Sequence, residues 1–341
     1  MIEIREHINT DLWNKFLESH SFANPFQSNS LYNFYLDLHG HHPLSLFAVD
    51  KNGEIVGCLI AVILYENKRL TKKLTSRVIL SGGPLISSNE NNKIILDLLI
   101  KSLIKKVSKS TIYIEIRNFF EWEPNLLSVF KKNKFDFEDH LNFIVPLENI
   151  LPSKKFSSSK QRQIKKGLSN GAEIVKASTI AEIFEFYKIL SDLYNNKAKK
   201  PLAPWLFFKN FFEFNCTKNE GIYLLVKYKA KIIGGIMCIL YNNKTVYEWY
   251  VCGLDLDYKQ CYPSVLATWS AIDYAHNNDY KYFDFMGAGS PNTEYGVRNF
   301  KEKFGGYKVN YGRFILINKP ILYFLGKLGL KLFSLIRLIL K

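Results

Sequence analysis

Two stretches of the chain carry the same succession of apolar and polar positions. Val56 to Lys68 and Ile233 to Lys244 are each a β-rich apolar run behind a polar turn, Lys51-Asn52-Gly53-Glu54 in one and Tyr228-Lys229-Ala230-Lys231 in the other. This pattern predicts a hairpin whose second strand is buried. Each run leads into a loop, with Gly82-Gly83-Pro84 in the first and Gly253 in the second. Helix-period runs follow, Asn92 to Val107 and Pro263 to Asn277, and then short strands, Thr111 to Ile116 and Lys281 to Phe285. Glu115 falls in the first strand where Asp284 falls in the second. An ordered repeat of this kind predicts a duplicated α/β domain.

The chain changes from apolar to basic at Leu151-Pro152-Ser153-Lys154-Lys155-Phe156-Ser157-Ser158-Ser159, which reads as a linker. The expected domains are therefore 1–150 and 151–318, with 319–341 left as a tail. A length of 341 residues suits two domains. With 47% hydrophobic and 15% aromatic residues the chain can fill real cores. The formal net charge of +15 favours anionic partners: phosphates, nucleic acid or an acidic membrane surface. Five cysteines without a CxxC pair, and seven histidines without metal spacing, predict neither a metal site nor a cofactor. His39, His41 and His42 read as a loop. The opening MIEIREHINTDLW has charges where a signal peptide needs an apolar core, so a reducing cytoplasm is the expected compartment.

Four stretches of the sequence can carry chemistry. Lys160-Gln161-Arg162-Gln163-Ile164-Lys165-Lys166, ending at Asn170-Gly171, reads as a short basic helix with a glycine C-cap. Its Lys160, Arg162 and Lys165 are of the type that holds phosphate groups, and a solvated helix face is the competing reading. In Thr245-Val246-Tyr247-Glu248-Trp249-Tyr250-Val251-Cys252-Gly253 the acid Glu248 interrupts an aromatic core strand, beside Tyr250. A carboxylate there must be paired or lie in a cleft. Asp284 poses the same question in Phe283-Asp284-Phe285, just before Gly287. Finally, Phe300-Lys301-Glu302-Lys303-Phe304-Gly305-Gly306 reads as a basic aromatic loop in which a lysine can point into a site.

These residues resemble the FemABX family. The similarity lies in the basic helix ending Asn170-Gly171-Ala172-Glu173-Ile174, in Tyr262-Pro263-Ser264 before a helix with Trp269 and Ala271, and in Phe283-Asp284-Phe285-Met286-Gly287. It continues through Gly296-Val297, Phe300-Lys301 and Phe304-Gly305-Gly306, and Pro25-Phe26-Gln27-Ser28 is similar to the family's early phenylalanine-glutamine-serine step. The resemblance implies two tandem GNAT-like acyltransferase domains with mixed central sheets. It also implies transfer of an aminoacyl group from aminoacyl-tRNA to an amine of a lipid- or nucleotide-linked envelope precursor, as in peptidoglycan synthesis. Lys301 then stabilises charge on the tetrahedral intermediate, a role in which a cation is often the largest single term. Asp284 or Glu248 takes the amine proton. Gln27, Ser28, Lys160, Arg162, Lys165, Tyr250, Gly287 and Phe300 are the expected substrate contacts.

The rival donor is acyl-CoA, in an N-acyltransferase acting on an amino sugar of a surface polysaccharide. A GNAT enzyme holds its pyrophosphate on backbone N–H groups where a glycine-rich turn opens a helix. Here that turn is Gln260-Cys261-Tyr262-Pro263-Ser264, and proline has no N–H to give. A non-catalytic nucleic-acid-binding protein is a second alternative, on charge alone.

The tail from Pro320 to Lys341 places Lys327, Lys331, Ser334, Arg337 and Lys341 within an arc of about 120° on a helical wheel, opposite Leu, Ile and Phe. Two readings compete: a helix lying in an anionic membrane surface as a peripheral anchor, and a core helix packed on the first domain with its lysines outward.

Overall fold

The computed structural model describes residues 2–65, 75–88, 90–147, 151–198 and 201–339. Glu66, Asn67 and Lys68 of the first expected strand, and Leu340 and Lys341 of the tail, lie outside them. The chain divides into two units, residues 1–139 with 311–341, and residues 140–310.

The first unit contains strands β1 (Glu3–Arg5), β2 (His41–Val49), β3 (Ile55–Leu64), β4 (Arg77–Ser81), β5 (Leu85–Ile86), β6 (Tyr113–Arg117), β7 (Asp136–Glu138) and, from the far end of the chain, β15 (Arg313–Ile317). Its helices are α1 (Thr10–Ser19), α2 (Asn29–Leu36), α3 (Asn92–Val107), α4 (Pro124–Lys132) and α10 (Pro320–Ile339). The sheet runs β1-β2-β3-β4-β6-β15-β7, with β5 on β3. His41 and His42 thus open a strand where the sequence suggested a loop.

The second unit contains β8 (Asn142–Pro146), β9 (Ala172–Lys176), β10 (Gly221–Tyr228), β11 (Lys231–Tyr241), β12 (Thr245–Gly253), β13 (Tyr282–Asp284) and β14 (Tyr307–Val309), in the order β14-β8-β13-β12-β11-β10-β9. Its helices are α5 (Ser158–Ser169), α6 (Ile180–Leu193), α7 (Trp205–Asn210), α8 (Pro263–Asn277) and α9 (Gly296–Glu302).

The repeat is present in both units. An antiparallel hairpin (β2–β3, β10–β11) is extended by an antiparallel strand (β4, β12), and a helix (α3, α8) then crosses to a parallel strand (β6, β13). Both helices span the residues that periodicity predicted. Gly57 and Gly234, matched in the repeat, allow close packing of that helix. A Cβ on Gly57 would stand 2.7 Å from Ile95 of α3, and one on Gly234 would stand 3.1 Å from Pro263 of α8.

The domain boundary differs from the expected one. Strand β8 was expected in the first domain but pairs with β13 and β14, burying Phe143 and Val145 in the second core. Strand β15 was expected in the second domain but pairs with β6 and β7, and its Phe314 stacks on Phe130 at 4.0 Å. Each sheet therefore takes a strand from beyond the expected cut. The proposed linker is ordered structure of the second unit. Pro152–Lys155 forms a 3-10 turn, Phe156 packs on Phe304, and the Ser157 hydroxyl caps α5 by accepting from Lys160 N–H. Proline and serine mark a helix start here, since both suit the first positions of helical turns.

In the first sheet β3 pairs with β4 only at Val62–Leu64 and with β5 at Gly57 and Cys58. Gln27 closes the gap between them. Its Nε2 donates to Ile60 O (3.0 Å) and Ser81 O (2.9 Å), and its Oε1 accepts from Ile60 N (2.8 Å). The substitution Gln27→Leu keeps the volume but strips three buried backbone groups of this partner, at about 1–3 kcal/mol each. Denaturant titration is expected to show a loss of about 3 kcal/mol or more; an unchanged midpoint would contradict this structural role.

Candidate active site

The site begins where two parallel strands part. β12 and β13 pair at Thr245–Tyr282, Val246–Phe283 and Tyr247–Asp284, and there β13 ends while β12 runs on to Gly253. On its other side β12 carries a bulge. Met237 faces Tyr250 and Cys238 faces Glu248, which leaves Trp249 as the extra residue. Bulges re-aim side chains and are common beside active sites. Here Trp249 packs on Phe207 and Phe211, while Glu248 is directed at Lys301.

The Lys301 ammonium fills the opening. Its Nζ donates to Phe285 O (2.6 Å) and Gly287 O (2.9 Å) beyond the end of β13, and lies 2.9 Å from Glu248 Oε1 on β12. These contacts match the three N–H donors of a lysine. Lys301 is 8% exposed and Glu248 4%. The second carboxylate oxygen, Glu248 Oε2, is buried without a hydrogen-bond partner. Burial pushes the Glu248 carboxyl above the usual range, with Lys301 pulling the other way. The first three residues of the expected loop, Phe300 to Glu302, belong instead to helix α9, which turns Lys301 inward and leaves Lys303 exposed.

Asp284 has a different task. Its Oδ1 accepts from Asn142 Nδ2 and from Met286 N, both at 2.7 Å, and Asn142 Oδ1 accepts from Gly287 N at 2.8 Å. Met286 sits at φ 58 and Gly287 at φ 125. The left-handed conformation is costly for methionine, of order 1 kcal/mol, and persists when its surroundings enforce it. The Asp284–Asn142 clamp enforces it, and the turn so formed aims the Phe285 and Gly287 carbonyls at Lys301. Burial raises the Asp284 carboxyl, and its hydrogen bonds and Lys301 oppose that rise.

The other expected contacts separate. Gln27 and Ser28 are structural: Gln27 is 0% exposed and bonded to β3 and β4, and Ser28 caps α2 while its hydroxyl donates to Pro25 O. On α5, Lys160 turns inward with Ile164 and Gly167, whereas Arg162 and Lys165 are exposed, so the three do not form one patch. Lys160 Nζ lies 3.9 Å from the centroid of Phe300. Burial, with the charge of Lys303, lowers its ammonium to about 8. Gly287 uses both its N–H and its C=O inside the clamp. Half-buried Tyr250 packs against Tyr194, Phe207 and Phe208. Burial raises the Tyr194 phenol, with Tyr295, Cys252 and Glu248 adding to the shift.

Sequence reading missed Asn142, the bulge at Trp249, and Asp255. The Asp255 carboxylate occupies the start of α8, where Oδ1 accepts from Ser264 N at 3.1 Å and Oδ2 accepts from the Ser264 hydroxyl. Asn142 had one available sign, a polar residue opening the apolar strand Asn142-Phe143-Ile144-Val145.

Residues 213–329 match the FemAB family. No curated protein sequence matches the chain. Among solved structures the chain is similar to the crystal structure of FemX, with 15% identity and a TM-score of 0.71 over 95% of this chain and 99% of that one. It is similar to a tandem GNAT protein from the clavulanic acid biosynthesis pathway, with 8% identity and a TM-score of 0.60 over 93% and 99%. It is also similar to L-PGS from Bacillus licheniformis, with 12% identity and a TM-score of 0.57 over 92% and 93%. Identities this low speak to the fold, a pair of GNAT-like domains, while the FemAB match spans Glu248, Asp284 and Lys301. The chain thus has the fold of tandem GNAT-like proteins, and a third of it, residues 213–329, is similar to the FemAB family.

Proposed function

We propose that the second unit transfers an aminoacyl group from aminoacyl-tRNA to an amine of a lipid- or nucleotide-linked cell-envelope precursor of the peptidoglycan type, in the cytoplasm. The observation that carries this reading is the buried Lys301–Glu248 pair with its unpartnered Glu248 oxygen. The acceptor amine attacks the ester carbonyl carbon, forming the C–N bond as the carbonyl electron pair moves to oxygen. Glu248 Oε2 takes the proton that the amine must lose. Collapse of the intermediate breaks the C–O bond, and the departing ribose hydroxyl takes that proton back from Glu248.

The pair couples the two halves of the step. While ionised, Glu248 engages the Lys301 charge. Once protonated it releases much of that charge, at the moment when the carbonyl oxygen becomes an anion in need of it. Both groups are shielded from water, so the exchange is worth far more than it would be in solvent. Asp284, whose Oδ1 accepts from Asn142 on β8 and from Met286 N in the turn, acts as a positioning residue.

An ester donor is favoured over acyl-CoA by the state of the α8 N-terminus. Pro263 offers no N–H there, and the Asp255 carboxylate already accepts from Ser264 and would repel a pyrophosphate. Exposed Lys154, Lys155, Arg162, Lys165, Lys166 and Lys303 offer the second unit contacts for RNA phosphates.

Mass spectrometry of envelope precursors from cells with and without the protein tests the reading. The expected difference is one aminoacyl residue on an amine; purified protein that accepts only an acyl thioester would overturn it. A second outcome concerns the base. Glu248→Gln keeps an acceptor for Lys301 but cannot take a proton, so kcat is expected to fall about 10²–10⁴-fold with the fold intact. Burial raises the Glu248 pKa, so the base is lost on acidification above the ordinary carboxylate value of about 4.3. The kcat/KM of the parent enzyme should therefore rise with pH through a limb displaced upward from that value, and Glu248→Gln should lack the limb.

A further inference from the structure

Helix α10 packs on the rest of the first unit near its start, and Lys327 further along also interacts with the charge of Glu138. The Tyr323 ring packs edge-on against Tyr113 at 5.4 Å, and Leu322 and Tyr323 are half-buried. From Phe324 to Gly329 every residue is exposed, and a Cβ added at Gly326 or Gly329 would meet nothing within 4 Å. Ile321 is 78% exposed, Phe324 67%, Leu325 53% and Leu328 42%. Their spacing of i, i+3, i+4 and i+7 puts them on one stripe about 100° wide. A core helix would turn this stripe into its own unit. Here the four side chains are exposed, which is not how a core helix places them over 321–328.

The charge of the segment identifies what covers the stripe. Residues 303–341 hold eight lysines and arginines and no aspartate or glutamate. Of these, Lys327 lies beside the stripe, with its ammonium 4.6 Å from the Tyr323 ring. By sequence the apolar periodicity continues through Leu332, Leu335, Ile336 and Ile339, and the basic positions through Lys331 and Arg337. Among the described residues no helix is long and apolar enough to cross a membrane. A second copy of the helix would bring two cationic flanks together with no acid within either segment to offset them. An anionic lipid surface accepts both features, acyl boundary against the stripe and headgroups against the cations.

We infer that α10 is an interfacial anchor that lays the Ile321–Phe324–Leu325–Leu328 stripe into an anionic membrane leaflet. The inference rests on tail residues alone and goes beyond the acyl-transfer reading, so either can fail without the other.

The test is flotation of the full chain with phosphatidylglycerol–phosphatidylcholine vesicles and with phosphatidylcholine vesicles, at low and high salt. The expected result is binding to the anionic vesicles that weakens with salt and is slight on neutral ones. Replacing Ile321, Phe324, Leu325 and Leu328 together by glutamine should reduce binding more than about tenfold, since each large apolar side chain contributes about that or more. The thermal midpoint should hold, because all four side chains are exposed. Lys327→Gln alone should weaken anionic binding about fivefold. Equal flotation of the quadruple variant would overturn the inference. So would a parent chain that ignores vesicles and sediments as a dimer that the same substitutions dissociate.

Discussion

An ammonium held between two diverging strands is the constraint around which the second unit is arranged. Stripping water from a charge costs several kcal/mol, and only near-ideal partners offset it. Lys301 finds them in two carbonyls from one strand's end and one carboxylate from the other. Those partners exist because of features that look unrelated along the chain. A bulge directs Glu248 into the opening, a left-handed Met286 directs two carbonyls there, and Asn142 on a strand from far upstream pins the turn. The resulting pair is balanced in one respect and deficient in another: the lysine has all its donors engaged, while one glutamate oxygen has no partner. In the proposed mechanism that unpartnered oxygen is the one that takes the proton.

The first unit shows what the same scaffold does when the opening is closed. β4 and β6 stay paired from Val78–Ile114 to Ser81–Arg117, and Gly82 N continues the ladder to Arg117 O. The acid matched to Asp284, Glu115, is tied to Arg117 and Arg313. Where β3 and β4 separate, Gln27 supplies the missing bonds. Glu115 and Gln27 are thus both bonded within the protein. The duplicated architecture has been kept in both units, and the opened strand pair carrying a buried charge occurs in the second.

Much of this was legible in the sequence. The hairpins, the helices Asn92–Val107 and Pro263–Asn277, and the match of Glu115 to Asp284 follow from local periodicity, which a strand or helix buried on one side must display. Glu248 and Asp284 stood out because charge interrupts apolar strands there, and Lys301 because it alternates with Phe300 and Phe304 in a basic aromatic stretch. The exchange of β8 and β15 was not legible, since either strand satisfies local preference in either sheet and only long-range pairing decides. The roles of Glu248 and Asp284 were equally open, because the difference lies in which oxygen is already bonded. Gln27 and Ser28 misled for the same reason. A polar pair after phenylalanine reads alike whether it faces a ligand or a gap in a sheet.

The coupling of Lys301 to Glu248 is the claim on which the mechanism turns, and a double-mutant cycle in kcat/KM measures it directly. Glu248→Gln, Lys301→Met and the double variant are compared with the parent in transfer from charged tRNA. If the two groups act as one charge-exchange unit, the double variant should be about as slow as the slower single variant, a marked departure from additivity. If the two losses instead multiply, the groups act independently and the account is wrong.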